Sequence, residues 1–268
     1  MRAYSRSVRR LAPLLLLVAV GACSSSPKDT YIARDVNVLY NLGYENLERR
    51  RWQVAAAAFD EVERQHPYSI WARRAQLMSA YAHYRNKKYD DAILSAQRFL
   101  SLHPGNTLAS YAHYLIAVSY FDQMTDVHRD QTVTLKARDA LREVVKRYPG
   151  TDYAVDAKLK LDLVNDQLAA YNMEVGRFYL RQEHYLAAIL RFRRVVEEFQ
   201  TTSQVPEALH RLVEAYSALG VADQAKRYAA VLGANYPGSK WYRYSYALLA
   251  GKKLKKDKRG FFARLLGR

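Results

Sequence analysis

The chain has 268 residues, with 42 Lys and Arg against 26 Asp and Glu, a formal charge of +16. A single cysteine excludes an internal disulfide, so the fold must stand on its apolar core, and half of the residues are hydrophobic. The charge is uneven: four arginines lie in the first ten residues and eight basic residues against one acidic in 252–268, which leaves a mildly basic body and no case for nucleic-acid binding beyond charge.

Arg2, Arg6, Arg9 and Arg10 precede a ten-residue apolar run, Leu11 to Val20. Crossing a bilayer takes roughly 20 residues, so this run suits the core of a secretory signal instead. It ends in Val20-Gly21-Ala22-Cys23. An aliphatic residue, two small residues and a cysteine resemble a bacterial lipobox, which implies cleavage after residue 22 and lipidation of Cys23. Residue 24 is Ser, not Asp; by resemblance to Gram-negative lipoprotein sorting, this implies an outer-membrane destination. One acyl chain anchors marginally, at roughly 0.8 kcal/mol per buried methylene; three would hold for good. Residues 1–22 read as a lipoprotein signal peptide and 23–31, polar and holding Pro27, as a lipidated tether.

From residue 32 onward, Ala, Leu, Arg, Gln and Glu dominate, all good helix formers, and no run of alternating β-branched residues stands out. The chain reads as all-α. Prolines punctuate it at His66-Pro67, His103-Pro104, Tyr148-Pro149 and Tyr236-Pro237. Counting back from Pro67, Phe59 lies eight residues earlier, Ala55 twelve and Gly43 twenty-four. That is the tetratricopeptide pattern: small residues let two helices approach, an aromatic fills the gap, and proline stops the second helix. Ala80, Ala92, Phe99 and Pro104 mark a second repeat; Ala112, Leu115, Ala137, Leu141 and Pro149 a third, with a polar insertion at about Asp122 to Thr134. Gly176, Ala188 and Phe192 mark a fourth, degenerate at Gln200, and Leu209, Leu212, Ala225 and Pro237 a fifth, with a turn at Gly220 off the repeat's register.

Ala154 to Gln182 reads as one long helix of about 40 Å at 1.5 Å per residue. Ser239 is placed to cap a last helix through Ala250. The expected architecture is a right-handed superhelical solenoid of five repeats, 1–3 in 32–150 and 4–5 with a capping helix in 151–250, whose concave groove binds partners.

No catalytic constellation emerges and no cofactor or metal is expected. Asp122, Asp126, His128 and Asp130 lack a fixed metal-ligand spacing and read as capping aspartates in a loop. Glu183-His184 has no nucleophile or phosphate-cradling glycine loop beside it. Arg49-Arg50-Arg51 before Trp52 reads either as a solvated turn whose Trp fills the repeat's aromatic position or as the basic, aromatic rim of a peptide groove. In the tail 251–268, Leu254, Phe261, Phe262, Leu265 and Leu266 share one helical face and the basic residues fill the other. This is a basic amphipathic segment, suited to anionic headgroups or an acidic partner, or else a disordered solubilising tail.

A lipobox, five repeats, an insertion in the third and a long helix opening the fourth together resemble the BamD family, lipoproteins of the β-barrel assembly machinery. The local words that carry the resemblance are Leu39-Tyr40-Asn41, Trp52-Gln53, His66-Pro67-Tyr68-Ser69, Arg129-Asp130, Tyr148-Pro149 and the run Tyr171 to Phe192. The resemblance implies a non-enzymatic scaffold on the periplasmic face of the outer membrane. Its partners would be the BamA periplasmic POTRA domains, other Bam subunits and unfolded outer membrane proteins. It implies that Trp52, Gln53, Tyr68 and Ser69 contact the substrate's C-terminal segment and that Arg191 faces BamA. The basic tail departs from the family pattern. The alternative is another periplasmic tetratricopeptide adaptor lipoprotein, pilotin-like or a cell-envelope scaffold.

Overall fold

The structure, a computed structural model, describes residues 33–251. Cys23 with its lipobox, the tether 23–31 and the basic residues 252–268 lie outside the described residues. By its contacts the chain divides into Met1–Asp35 and Val36–Arg268. Of the first unit only residues 33–35 are described, and they carry no helix.

The second unit holds eleven helices among the described residues: α1 Val36–Glu48, α2 Trp52–Gln65, α3 Ile70–Arg85, α4 Tyr89–Leu102, α5 Ala109–Asp122, α6 Thr132–Arg147, α7 Asp152–Arg181, α8 Tyr185–Glu198, α9 Val205–Ala218, α10 Ala222–Asn235 and α11 Lys240–Leu249. Each packs on the next, and the odd-numbered helices α1, α3, α5 and α7 also touch in sequence. This is an all-α tetratricopeptide solenoid of five hairpins, α1–α2 to α9–α10, closed by α11.

Three local devices repeat. The first ends the leading helix of a hairpin. Arg50, Lys87, Glu183 and Gly220 sit at φ +56, +59, +60 and +75°. The amide after each reaches back five residues: Arg51 to the carbonyl of Asn46 at 2.8 Å, Lys88 to His83 at 3.0 Å, His184 to Tyr179 at 2.9 Å and Val221 to Tyr216 at 2.9 Å. Four hairpins thus close on the same left-handed turn, and Gly220 stands in register with the other three, correcting the off-register reading.

The second device joins one hairpin to the next. His66, His103, Tyr148 and Tyr236 leave helical geometry ahead of their prolines, with φ from −125 to −136°. Two residues past the proline, Ser69, Thr151 and Ser239 accept the amides of Ala72, Ala154 and Tyr242 at 3.0, 3.2 and 3.1 Å, so Pro-x-Ser/Thr opens α3, α7 and α11. In the degenerate fourth repeat Phe199 takes the same geometry without a following proline. There the Thr202 hydroxyl donates to the Phe199 carbonyl at 2.8 Å, as Thr151 does to Tyr148 at 2.8 Å where the proline is present.

The third device sets how closely the helices of a hairpin approach. A Cβ on Gly43 would lie 2.6 Å from Phe59, and one on Gly176 2.5 Å from Phe192. At the same positions of the second repeat stand Ala80 and Ala96, both fully buried. The ring of Phe59 or Phe192 needs the missing Cβ, and where the partner is only a methyl, at Ala96, Ala80 can carry one.

The third hairpin departs from the others through its loop 123–131. Gln131 Nε2 donates to the carbonyls of Asp126 and Arg129 at 3.1 and 2.9 Å. Gln167 Nε2, from α7, donates to the Thr125 carbonyl at 2.6 Å. α7 is 30 residues long, about 45 Å, and α8 is 14. Its first half therefore runs past the end of its hairpin partner and packs on α5 and α6 instead.

Candidate functional site

Trp52 is the first residue of α2, in register with Tyr89 and Tyr185, which open α4 and α8. The repeat's aromatic position is thus its structural setting. Trp52 differs in what covers it: the Arg85 guanidinium carbon, at the end of α3, lies 4.6 Å from the indole centroid. The same guanidinium lies 5.6 Å from the Tyr81 ring and donates from Nη1 to the Tyr81 hydroxyl oxygen at 2.6 Å. Gln53 beside it is exposed. Of the preceding arginines, Arg49 pairs with Glu45 at 3.8 Å and Arg50 holds the left-handed turn.

Tyr68 and Ser69 lie at the other end of α2, in the turn that leads into α3. α2 has 14 residues, so about 21 Å of helix separates them from Trp52 and Gln53. The four residues form two groups, not one pocket. Ser69 is the α3 cap, the duty Thr151 and Ser239 perform elsewhere. Tyr68 occupies the loop position filled by Gly150 and Gly238 in the equivalent turns, and it is 100% exposed. Its ring has no packing duty and is available for contact.

Arg191 lies on α8, half-buried. Its neighbours Arg193 and Arg194 pair one turn on with Glu197 and Glu198 at 2.8 and 3.0 Å. One turn on from Arg191 is Val195, and one turn back Ala187. Among the described residues it has no carboxylate partner. Leu186 and Leu190 on the same helix are 70 and 67% exposed. Leu186 and Leu190 form an uncovered apolar stripe flanked by Arg193 and Arg194, and Arg191 lies about 100° round the helix from it.

Behind that surface, a chain of charges ties the last repeats together. Arg177 pairs with Glu174 at 2.7 Å and with Glu207 at 3.0 Å. Arg211 pairs with Glu207 at 3.3 Å and with Glu214 at 2.7 Å. His210 lies 3.5 Å from Glu214, shares a 2.9 Å hydrogen bond with the Ser245 hydroxyl and stacks on Trp241 at 5.3 Å. The network thereby links α7, α9 and α11. Burial pushes the Glu214 carboxyl up, but His210 and Arg211 together outweigh it and hold the group below the ordinary range.

The carboxylates of the third-repeat loop serve the backbone and a tyrosine. Asp126 accepts the His128 amide at 2.8 Å, Asp130 the Thr132 amide at 3.1 Å and Asp122 the Tyr84 hydroxyl at 2.7 Å. Among the described residues no three His, Cys, Asp or Glu gather as metal ligands. Glu183 holds a left-handed turn, and His184 lies 6.4 Å from the Tyr179 ring. A cleft of about 400 Å³ between this loop and α7, lined by Val127, His128, Tyr171, Val175 and Phe178 among others, escaped the sequence reading. Phe178, 51% exposed, was its one outward sign.

Residues 32–232 match the family described as "YfiO: Outer membrane lipoprotein". The chain is 52% identical over 242 residues to the outer membrane protein assembly factor BamD of Caulobacter vibrioides, spanning 89% of this chain and 79% of that one. It is 42% identical over 238 residues to the BamD of Rickettsia prowazekii, spanning 89 and 95%. It is 30% identical over 251 residues to that of Neisseria meningitidis serogroup A, spanning 88 and 94%.

Proposed function

Since the chain belongs to the YfiO family of outer membrane lipoproteins, whose relatives are the BamD assembly factors, we propose that it is an outer membrane protein assembly factor of the same kind. It works as a non-catalytic scaffold that brings an unfolded outer membrane protein to the barrel component. Lipid on Cys23 anchors it to the outer membrane, with the repeats in the periplasm. Repeats 1–3, in 32–150, receive the substrate's C-terminal segment. Repeats 4–5 with α11, in 151–250, hold the POTRA domains of BamA, and other Bam subunits join the same body.

Side chains released from structural duty support this division. Tyr68 stands where other turns have glycine, Gln53 is exposed, and Arg191 has no carboxylate partner among the described residues while Arg193 and Arg194, just after it, are paired. Trp52 and Tyr68 mark the two ends of α2. An extended segment of about six residues spans the 21 Å between them at roughly 3.4 Å per residue. Such a strand would present one side chain to each end, and Ser69 would shape the far end by fixing the start of α3.

The test is depletion of the protein in its host, with folded β-barrel proteins of the outer membrane measured over time. Loss of barrels, with the other lipoproteins kept, is expected. Unchanged barrel levels after complete depletion would overturn the reading.

A further inference from the structure

We propose that residues 252–268 make a second membrane contact, an amphipathic helix laid on an anionic phospholipid surface, and are not the second half of a sixth hairpin. The inference goes beyond the assembly reading and does not depend on what the repeats hold.

α11 ends as the leading helix of a hairpin ends. Gly251 takes φ +65°, inside the +56 to +75° spanned by Arg50, Lys87, Glu183 and Gly220. Its amide reaches the Leu248 carbonyl at 3.2 Å, as Glu183 reaches Leu180 at 3.2 Å and Gly220 reaches Ser217 at 3.1 Å. Each of the four earlier turns delivers a second helix onto the first. The residues that follow Gly251 are wrong for that packing. Five residues past the four turns stand Ala55, Ala92, Ala188 and Ala225, and twelve past them Val62, Phe99, Val195 and Leu232, all fully buried. The same counts from Gly251 reach Lys256 and Ala263. An ammonium without a partner at a buried position costs far more than the packing returns. α11 refuses the helix from its own side too. Seven residues before the four turns stand Gly43, Ala80, Gly176 and Val213, all buried. At that place α11 has Tyr244, whose ring lies 5.9 Å from those of His210 and Trp241.

The apolar residues of 252–268 fall where the hairpins bury nothing. Positions three, ten and fourteen past the turn are exposed in all four hairpins with a left-handed turn. Past Gly251 those positions hold Leu254, Phe261 and Leu265, and Phe262 and Leu266 extend the same face. An apolar face turned away from the repeats needs a partner outside them, and the composition selects which. Two Phe and three Leu suit the acyl boundary, and eight basic residues against one acidic suit anionic headgroups. Each Lys or Arg near an anionic leaflet strengthens binding about five-fold. A bilayer takes both faces of such a helix at once, and lipid on Cys23 keeps one within reach.

The experiment uses the full-length lipidated protein with Gly267→Cys, labelled with a polarity-sensitive dye. The wild type is labelled in parallel to report any dye taken by Cys23. Both are reconstituted into vesicles of phosphatidylcholine alone or of equal parts phosphatidylcholine and phosphatidylglycerol. On the anionic vesicles the dye at residue 267 is expected to shift to the blue, with quenching by nitroxide-bearing lipid at least about three-fold above that on neutral vesicles. High salt should weaken both signals. Phe261→Ser combined with Phe262→Ser should remove them with unchanged circular dichroism. A blue shift of equal size on both vesicles and in detergent overturns the proposal. It would place the segment on its own chain, in the cleft of about 320 Å³ lined by Ala229, Gly233, Tyr242 and Tyr246. No shift on either vesicle overturns it as well and assigns the segment to a protein partner. Loss of the protein from neutral vesicles at high salt counts against lipid on Cys23 alone, and the dye on anionic vesicles still decides the segment.

Discussion

Gly43 and Phe59 occupy one space: a Cβ on the glycine would fall 2.6 Å from Cε1 of the ring, which is itself fully buried. Gly43→Ala should therefore destabilise the first hairpin by about 1–3 kcal/mol through overpacking, despite the better helix propensity of alanine. Phe59→Ala should cost about 3–5 kcal/mol. The double variant recreates the Ala80 and Ala96 pair of the second repeat. It should be less damaged than the two costs added, because the methyl partly fills the cavity. Denaturant unfolding of all three checks this; simple additivity would show that the gap is not shared.

Lys87 holds φ +59° with a full side chain. A non-glycine residue there carries roughly 1 kcal/mol of strain, part of which glycine returns as unfolded-state entropy. Lys87→Gly should raise stability by about 0.5 kcal/mol, while Lys88→Gly, one residue on and outside the left-handed turn, should lower it or leave it unchanged. A thermal melt of each separates them, and equal shifts would deny the turn its role.

Much of this fold was readable because two of the three devices leave a residue signature. The helix-ending prolines, the Ser239 cap, the Gly43 with Phe59 pair and the uninterrupted stretch before Gln182 all predict the elements that stand there. The left-handed turns were hidden because Arg50, Lys87 and Glu183 adopt by context what only Gly220 advertises by type. That is why Gly220 looked out of register. Among site residues, Arg191 was reached only through the family resemblance, since nothing in its own stretch of sequence sets it apart from Arg193 and Arg194. The separation of Trp52 from Tyr68 was not, since sequence distance does not reveal that α2 stands between them. The Arg85 guanidinium over Trp52 was not legible because the two residues stand 33 apart on different helices.

Glu214 links α9 to the cap through His210 and Arg211. Its carboxyl is held below the ordinary value of 4.5, against burial, by contacts from the His210 and Arg211 side chains. A depressed carboxyl contributes stability above its unfolded pKa and loses it as pH falls through the folded one. Wild type should exceed Glu214→Gln by about 1–2 kcal/mol near pH 7, as for a hydrogen bond to a charged group. The gap should close progressively below about pH 4.5. Melting temperatures of both proteins from pH 7 to 3 test the sign, and a gap that widens in acid would reverse it.

Cys23 bears the whole lipid-anchor proposal. Cys23→Ala removes the acceptor thiol and with it the acyl chains, each methylene of which adds roughly 0.8 kcal/mol of membrane affinity. The variant should appear in the soluble periplasmic fraction. Retention equal to wild type, after washing at high salt to strip the basic tail from anionic surfaces, would remove lipid as the anchor.

Arg191 and Arg193 stand two residues apart on α8 and predict opposite results. Arg193 spends its charge on Glu197 at 2.8 Å, an exposed pair within one helix that contributes only a few tenths of a kcal/mol. Arg191 has Val195 where that glutamate would be, and among the described residues no carboxylate takes its charge. Arg191→Glu should therefore cut co-purification with the barrel component by ten-fold or more, since reversal replaces an attraction with a repulsion across the contact. Arg193→Glu should reduce it little. Leu190→Ser should weaken the complex through lost apolar contact while leaving the melting temperature near wild type, because that side chain is mostly in water already. A complex that survives Arg191→Glu intact would move the BamA contact off this face of α8. Equal loss with Arg193→Glu would point to net charge on the helix and not to the one unpaired arginine.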